Sequence, residues 1–280
     1  MKKSRLFWAL LAALQLVSCR SLILEDRFLC PRFLFFDIGN GENFETYERL
    51  QVSVFNHPAG DLLGRDTTTV LAVMDREFHF AVRKELAVKG FGILGARREQ
   101  LEGDYAWTIP LGQDSDPLFR FAFTAPTEEE SFLVYTELVK DHARVNLRFL
   151  GWESYASAEG AFPFKIIVTG NTCGIDALSG EPLRGAFECV PEEQMQGQFS
   201  LILPRQADHT LRMEVYGKEG VYERTGLVDV FDLWDILRQQ GGITWEEKNL
   251  PDLEVTVDYQ EMQVNVGVIE WQEQPLDYNF

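Results

Sequence analysis

The chain has 280 residues and a formal net charge of −18, from 26 Lys+Arg against 44 Asp+Glu. Its 45% hydrophobic and 12% aromatic content is ample for packed cores, which excludes a disordered chain, and the length fits about two domains. The acidity argues against nucleic acid or anionic lipid as the main partner, because both need a positive field.

Lys2, Lys3 and Arg5 form a positive start, and Leu6 to Val17 is an apolar run of 12 residues broken only by Gln15. A bilayer-spanning helix needs about 20 apolar residues, so this run reads as a secretory signal. It ends in Leu16-Val17-Ser18-Cys19, the pattern of a bacterial lipobox. Small residues before the cut fit a peptidase pocket, and a thiol at the cut is what lipid transfer requires. Cys19 is therefore the expected lipidation site and residues 1–18 the discarded signal; a plain signal with a chance Cys19 is the competing reading. Without residues 1–18 the chain has 262 residues and a net charge of −21. No later stretch reaches 18 consecutive apolar residues.

After residue 30 the dominant signal is alternation with period two. Phe33 and Phe35 alternate with Leu34 and Phe36; Leu50, Val52 and Val54 follow, then Phe78, Phe80 and Val82, then Phe119, Phe121 and Phe123. The second half continues with Ala143, Val145, Leu147 and Phe149; Phe162 to Val168; Phe199 to Leu203; Leu211 to Val215; Leu253 to Tyr259; and Val264 to Val268. Strand side chains point to alternate faces, so each segment has one buried and one wet face. Many short strands between Gly, Pro, Asp and Asn turns indicate an all-β fold of antiparallel sandwiches.

One helix is expected, with Val230, Leu233, Trp234 and Leu237 as its apolar stripe, Asp229 as N-cap and Gly241-Gly242 as stop. A weaker helical signal lies at Arg97 to Leu101. The domain boundary is expected near residue 140, which gives domains 19–140 and 141–280. No internal repeat is visible. Among the cysteines that would remain besides Cys19, Cys173 and Cys189 flank a turn-rich segment and are a candidate hairpin disulfide; three pairings are open among Cys30, Cys173 and Cys189.

Catalytic patterns are scarce. Gly90-Phe91-Gly92-Ile93-Leu94-Gly95 matches G-x-G-x-x-G, but without the flanking strand and helix at the right distances it reads as a glycine-rich turn. His57, His79, His142 and His209 have no metal-ligand spacing and read as surface or strand-edge residues. Asp114-Ser115-Asp116 reads as a turn, too short for a calcium loop. Trp107, Trp152 and Trp245 are candidates for a sugar platform but more often structural. The expectation is a protein without enzymatic activity, cofactor or metal.

The order of several stretches resembles a known family. Cys19-Arg20-Ser21-Leu22-Ile23-Leu24-Glu25-Asp26-Arg27-Phe28-Leu29-Cys30-Pro31, then His142-Ala143-Arg144-Val145-Asn146-Leu147, then Trp245, Asn249-Leu250-Pro251-Asp252-Leu253, Val255, Val257-Asp258-Tyr259 and Trp271, together look like the FimB-type fimbrial anchor lipoproteins of Bacteroidales. The resemblance implies two transthyretin-like β-sandwich domains with one short helix in the second, and a lipid link to the outer membrane. It also implies a role at the pilus base, tethering the fimbria and limiting its length through strand complementation with a shaft pilin. The physics of such contact is β-augmentation along an open sheet edge. Arg27 and Arg32 are candidate proteolysis sites in this family, but an anchor keeps its N-terminal link, so no cut is expected. Arg20 directly after Cys19, with the acids beginning only at Glu25, leaves the leaflet open. Two other functions compete: a fimbrial tip or accessory adhesin, and a glycan-binding outer-membrane lipoprotein.

Overall fold

The computed structural model describes residues 32–47, 49–82, 87–126, 131–156, 161–219, 226–261 and 263–269. The signal segment, Cys19, Arg27, Cys30 and Trp271 lie outside the described residues.

The first half runs β1 (Arg32–Ile38), β2 (Leu50–His57), β3 (Leu62–Thr68), helix α1 (Val70–Met74), β4 (Phe80–Val82), β5 (Ala87–Leu94), β6 (Gln100–Glu102), β7 (Ala106–Thr108), β8 (Phe119–Ala125), β9 (Ser131–Thr136) and β10 (Val139–Lys140). The second runs β11 (His142–Leu150), β12 (Phe164–Asp176), β13 (Pro182–Cys189), β14 (Glu192–Met195), β15 (Gln198–Pro204), β16 (Arg212–Gly217), β17 (Gly226–Asp232), helix α2 (Leu233–Gln239), β18 (Asp252–Asp258) and β19 (Gln263–Ile269). The protein is all-β, built as two sandwiches. Sheets β4-β1-β9 and β10-β8-β5-β2-β3 form the first; sheets β14-β15-β11-β18-β19 and β17-β16-β12-β7-β6, with β13 on β12, form the second.

The alternation places the cores. Ala143, Val145, Leu147 and Phe149 of β11 are buried together with Phe164, Ile166 and Val168 of β12. Leu34, Phe36 and Ile38 of β1 face Val52, Val54, Phe121 and Phe123. Each fully buried side chain of this size contributes about 1.5–3 kcal/mol by leaving water.

The sheets are not wholly antiparallel. β1 pairs parallel with β9, from Phe33↔Ser131 to Ile38↔Thr136, and β11 pairs parallel with β18, from Val145↔Leu253 to Leu150↔Asp258. A parallel pair needs a long return path, and here the return passes through the opposite sheet.

Local details correct the sequence reading. Val230 pairs with Glu214 inside β17 and is exposed, so it belongs to no helical stripe. The N-cap of α2 is Asp232, whose carboxylate accepts the Asp235 N–H at 3.0 Å. Leu233, Trp234 and Leu237 are the buried face, and Gly242 follows at φ +63. Arg97 to Leu101 leads into β6 and is not helical, while α1, capped by Thr69 on the Ala72 N–H, was not foreseen. The Gly90–Gly95 motif is strand β5 running into Gly95, not a turn. A Cβ on Gly92 would collide with the ring of Phe121, and one on Gly90 with Phe123, the two residues directly across the ladder. These glycines make room for cross-strand aromatic rings.

The β12–β13 hairpin forms as expected, but the thiols do not meet across it. Cys189 registers with Val168, five residues from Cys173 and roughly 16 Å along the strand. A disulfide needs Cα atoms within about 7 Å. Cys173 packs on Gly185 instead, and both cysteines are free thiols.

Candidate functional site: the junction and the open strand edges

The chain passes from the first sandwich to the second between β10, which pairs with β8, and β11. Lys140 is fully buried there. Its ammonium donates to Asp252 at 2.7 Å, to the Leu250 carbonyl at 2.8 Å and to the His142 carbonyl at 3.1 Å. Asn249 accepts the Lys140 N–H, and Asp252 also accepts the Arg144 N–H. Three donors and three acceptors thus meet, which a buried ammonium requires. Burial still lowers the Lys140 pKa, with Asp252 opposing. Next in sequence, Asp141 bridges Arg120 of β8 and Arg205 of the second sandwich at 2.9 and 3.2 Å. Burial raises the Asp141 pKa against both guanidinium groups. Arg205 also donates to the carbonyls of Trp245 and Glu247. His142, expected at the surface, is fully buried: Nδ1 lies 2.9 Å from the Leu118 carbonyl, and burial holds its pKa well below the usual value.

A second seam crosses between the halves. Hairpin β6–β7 leaves the first sandwich and pairs with β12, Trp107 opposite Ile175. Trp107, Phe55, Phe91, Leu118, Ile175 and Ala177 form a core belonging to both halves. Behind the hairpin, Asp116 is fully buried and its carboxylate accepts the successive N–H groups of Arg97, Arg98 and Glu99 at 2.6, 2.5 and 2.8 Å. Arg98 closes over Asp116 and Asp114, and Asp114 accepts the Ile202 N–H of β15. Asp114-Ser115-Asp116 is therefore a structural knot rather than a surface turn. Glu99 is buried beside it, accepting from the Ser115 hydroxyl at 2.5 Å and the Asp116 N–H at 2.7 Å. Burial pushes Glu99 up to about 8.

No group of His, Cys, Asp and Glu with metal-binding geometry exists among the described residues. Trp107, Trp152 and Trp245 are 3%, 6% and 3% exposed, so none offers a ring face to a sugar. What remains as a candidate site is the set of strand edges without an outer partner, which sequence reasoning could not assign to particular strands. Among the described residues β3, β4, β6, β9, β10, β14, β17 and β19 end their sheets, and β13 pairs only with β12. A groove opens between β8 and β9, lined by Phe121, Ala122, Tyr135 and Thr136 and by the charged Asp37, Arg120, Glu137 and Lys248.

No protein-family model matches the chain, and no curated protein matches it in sequence. Solved structures do. A Bacteroides thetaiotaomicron protein described as polysaccharide-binding superposes with a TM-score of 0.61 at 11% identity, covering 88% of this chain and 100% of that one. The fimbrial anchor protein Mfa2 from Porphyromonas gingivalis gives 0.57 at 12% identity, covering 88% and 100%. A Bacteroides ovatus protein described as an adhesin gives 0.57 at 13% identity, covering 86% and 92%. Over nearly its whole length, the chain has the two-sandwich fold that these proteins share.

Proposed function

We propose that the chain is a lipid-anchored fimbrial subunit that tethers the base of a pilus to the outer membrane at the cell surface and limits its length, holding a shaft pilin by strand complementation. The lipobox at Cys19, the ordered resemblance to FimB-type anchors and a fold shared with a fimbrial anchor protein support this reading. One observation carries it. β1, which starts 13 residues after Cys19, sits at the centre of its sheet between β4 and β9. A tether on this strand loads hydrogen bonds on both its sides together. Arg32 is buried at the start of β1, so a protease would have to open the sheet to reach it. The acids concentrate away from the tether: residues 141–280 carry 24 Asp+Glu against 10 Lys+Arg. An acidic second half favours solubility and orientation away from an anionic surface.

The test is a Cys19→Ala chain in cells fed an alkynyl fatty acid. The wild type should take up the label and co-purify with detergent-extracted fimbriae. Cys19→Ala should lose the label and shed fimbriae into the medium. Label retained on Cys19→Ala, or immunogold particles at the distal end of the pilus, would sink the reading.

A further inference from the structure

The two sandwiches repeat one pairing scheme. In the first, β4-β1-β9 faces β8-β5-β2-β3; in the second, β15-β11-β18 faces β17-β16-β12-β13. The antiparallel and parallel partners correspond strand for strand, β1 with β11 and β9 with β18. The difference lies at the end of the smaller sheet. β18 is covered by β19, antiparallel through seven registered pairs from Asp252↔Ile269 to Asp258↔Gln263. Its counterpart β9 pairs only with β1 among the described residues.

We infer that the free edge of β9 accepts an extended segment of another fimbrial subunit, laid down as β19 lies on β18. This rests on the fimbrial reading above. The occupant's form is displayed by the molecule itself, in the equivalent place of the second sandwich. The chemistry of the edge agrees. Natural free edges are protected by charge, proline, bulges or shortness. β3 carries Arg65-Asp66, β13 Pro182, Arg184 and Glu188, β14 Glu192-Glu193, and β17 Asp229 with a bulge; β4 and β6 are three residues each and β10 two. β9 reads Ser131-Phe132-Leu133-Val134-Tyr135-Thr136, with no charge, proline or glycine. Among the other described edges of more than three residues only β19 is similarly bare, and it is itself the covering strand, weakened by Asn265 and Gly267. Thr136 gives its carbonyl to the Gly39 N–H on the β1 side. Backbone groups alternate along a strand, so Leu133 and Tyr135 aim theirs outward. Tyr135 is 77% exposed, ready to pack on an incoming cross-strand side chain. The groove between β8 and β9 adjoins the Tyr135 end of this edge, where Phe121 and Ala122 line it together with the charged Asp37, Arg120, Glu137 and Lys248.

Hydrogen exchange is measured on the chain within detergent-extracted fimbriae and on the free recombinant mature chain. The outward amides of Leu133 and Tyr135 should exchange at least about tenfold more slowly in the fimbriae. Tyr135→Pro removes one outward N–H and leaves the β1 ladder intact. It should melt like the wild type and fall at least about tenfold in fimbrial recovery. Unchanged exchange at Leu133 and Tyr135 in a chain that is present in the fimbriae overturns the β9 assignment and leaves the anchoring reading standing. Absence of the wild-type chain from fimbriae overturns both. If Tyr135→Pro fails to fold, exchange in the wild type decides alone.

Discussion

The two sandwiches solve one topology in different ways. The second closes its smaller sheet with its own strands, β14 on β15 and β19 on β18, and caps one end with α2. The first leaves β4 and β9 without an outer partner among the described residues and sends β6–β7 into the second sandwich, where Trp107 packs with Ile175 and Ala177. The first half therefore completes its core by leaning on its neighbour. Two sandwiches joined this way should behave as one cooperative body, since the shared core cannot melt on one side alone. Such coupling suits the proposed role, in which a membrane link at one end and a partner elsewhere would load one body.

The strongest test of that coupling is Asp252→Ala. It strands the fully buried Lys140 ammonium and removes the acceptor for the Arg144 N–H. Losing one partner of a buried pair costs about 3–5 kcal/mol. The expected outcome is a large fall in melting temperature, with the single calorimetric transition splitting in two as the sandwiches come apart. A lower melting temperature with one undivided transition would place the coupling in β6–β7 instead.

The second test separates the two seams by pH. Glu99 titrates at about 8 when folded against 4.5 for a free carboxyl. Its folded pKa is raised, so the folded state holds a proton that the unfolded state lacks between these values. Stability from this group is present below pH 4.5 and is lost as pH rises through 8, by at most about 1.36 kcal/mol per pH unit. The neighbouring groups are the Asp116 carboxylate, which raises the value, and Arg98 and the Ser115 hydroxyl, which lower it. At the other seam buried His142 has the opposite sign: its pKa is lowered, so it costs stability as pH falls below 6.5. Urea melts of Glu99→Gln and wild type should diverge in the variant's favour from pH 5 towards pH 8 and run parallel above. Parallel curves throughout would remove Glu99 from the account.

What was legible in the sequence follows from which forces are local. The faces of Ala143, Val145, Leu147 and Phe149 show because period two is written along each strand. Direction is not: alternation is the same for a parallel and an antiparallel neighbour, so the β1–β9 and β11–β18 pairs were hidden. The repeat was hidden for a similar reason, since it resides in pairing order and not in residue identity. The disulfide failed on register: the hairpin sets Cys189 opposite Val168, while Cys173 lies five positions nearer the turn, between Thr172 opposite Arg184 and Gly174 opposite Leu183. His142 and Asp116 looked like surface residues because their burying partners are remote, Leu118 for one and the Arg97–Glu99 backbone for the other. The stretches His142–Leu147 and Asn249–Leu253 were visible as motifs, yet only the fold shows that they meet around Lys140.

The smallest predicted effect concerns where the second sandwich's helix begins. The i, i+3, i+4, i+7 spacing of Val230, Leu233, Trp234 and Leu237 extends the helix back to Asp229, whereas ladder pairing holds Val230 and Phe231 in β17. Both arrangements bury Leu233, Trp234 and Leu237, so burial of the stripe cannot separate them. The cap can. Asp232 satisfies the Asp235 N–H, one of the orphan donors at the helix start, while Asp229 sits in the ladder opposite Val215. Asp232→Ala should cost about 1 kcal/mol. Asp229→Ala should stay within about 0.5 kcal/mol, as surface strand substitutions do. The reverse order in denaturant melts would move the helix start into β17 and take from the second sandwich the edge strand that matches β8 in the first.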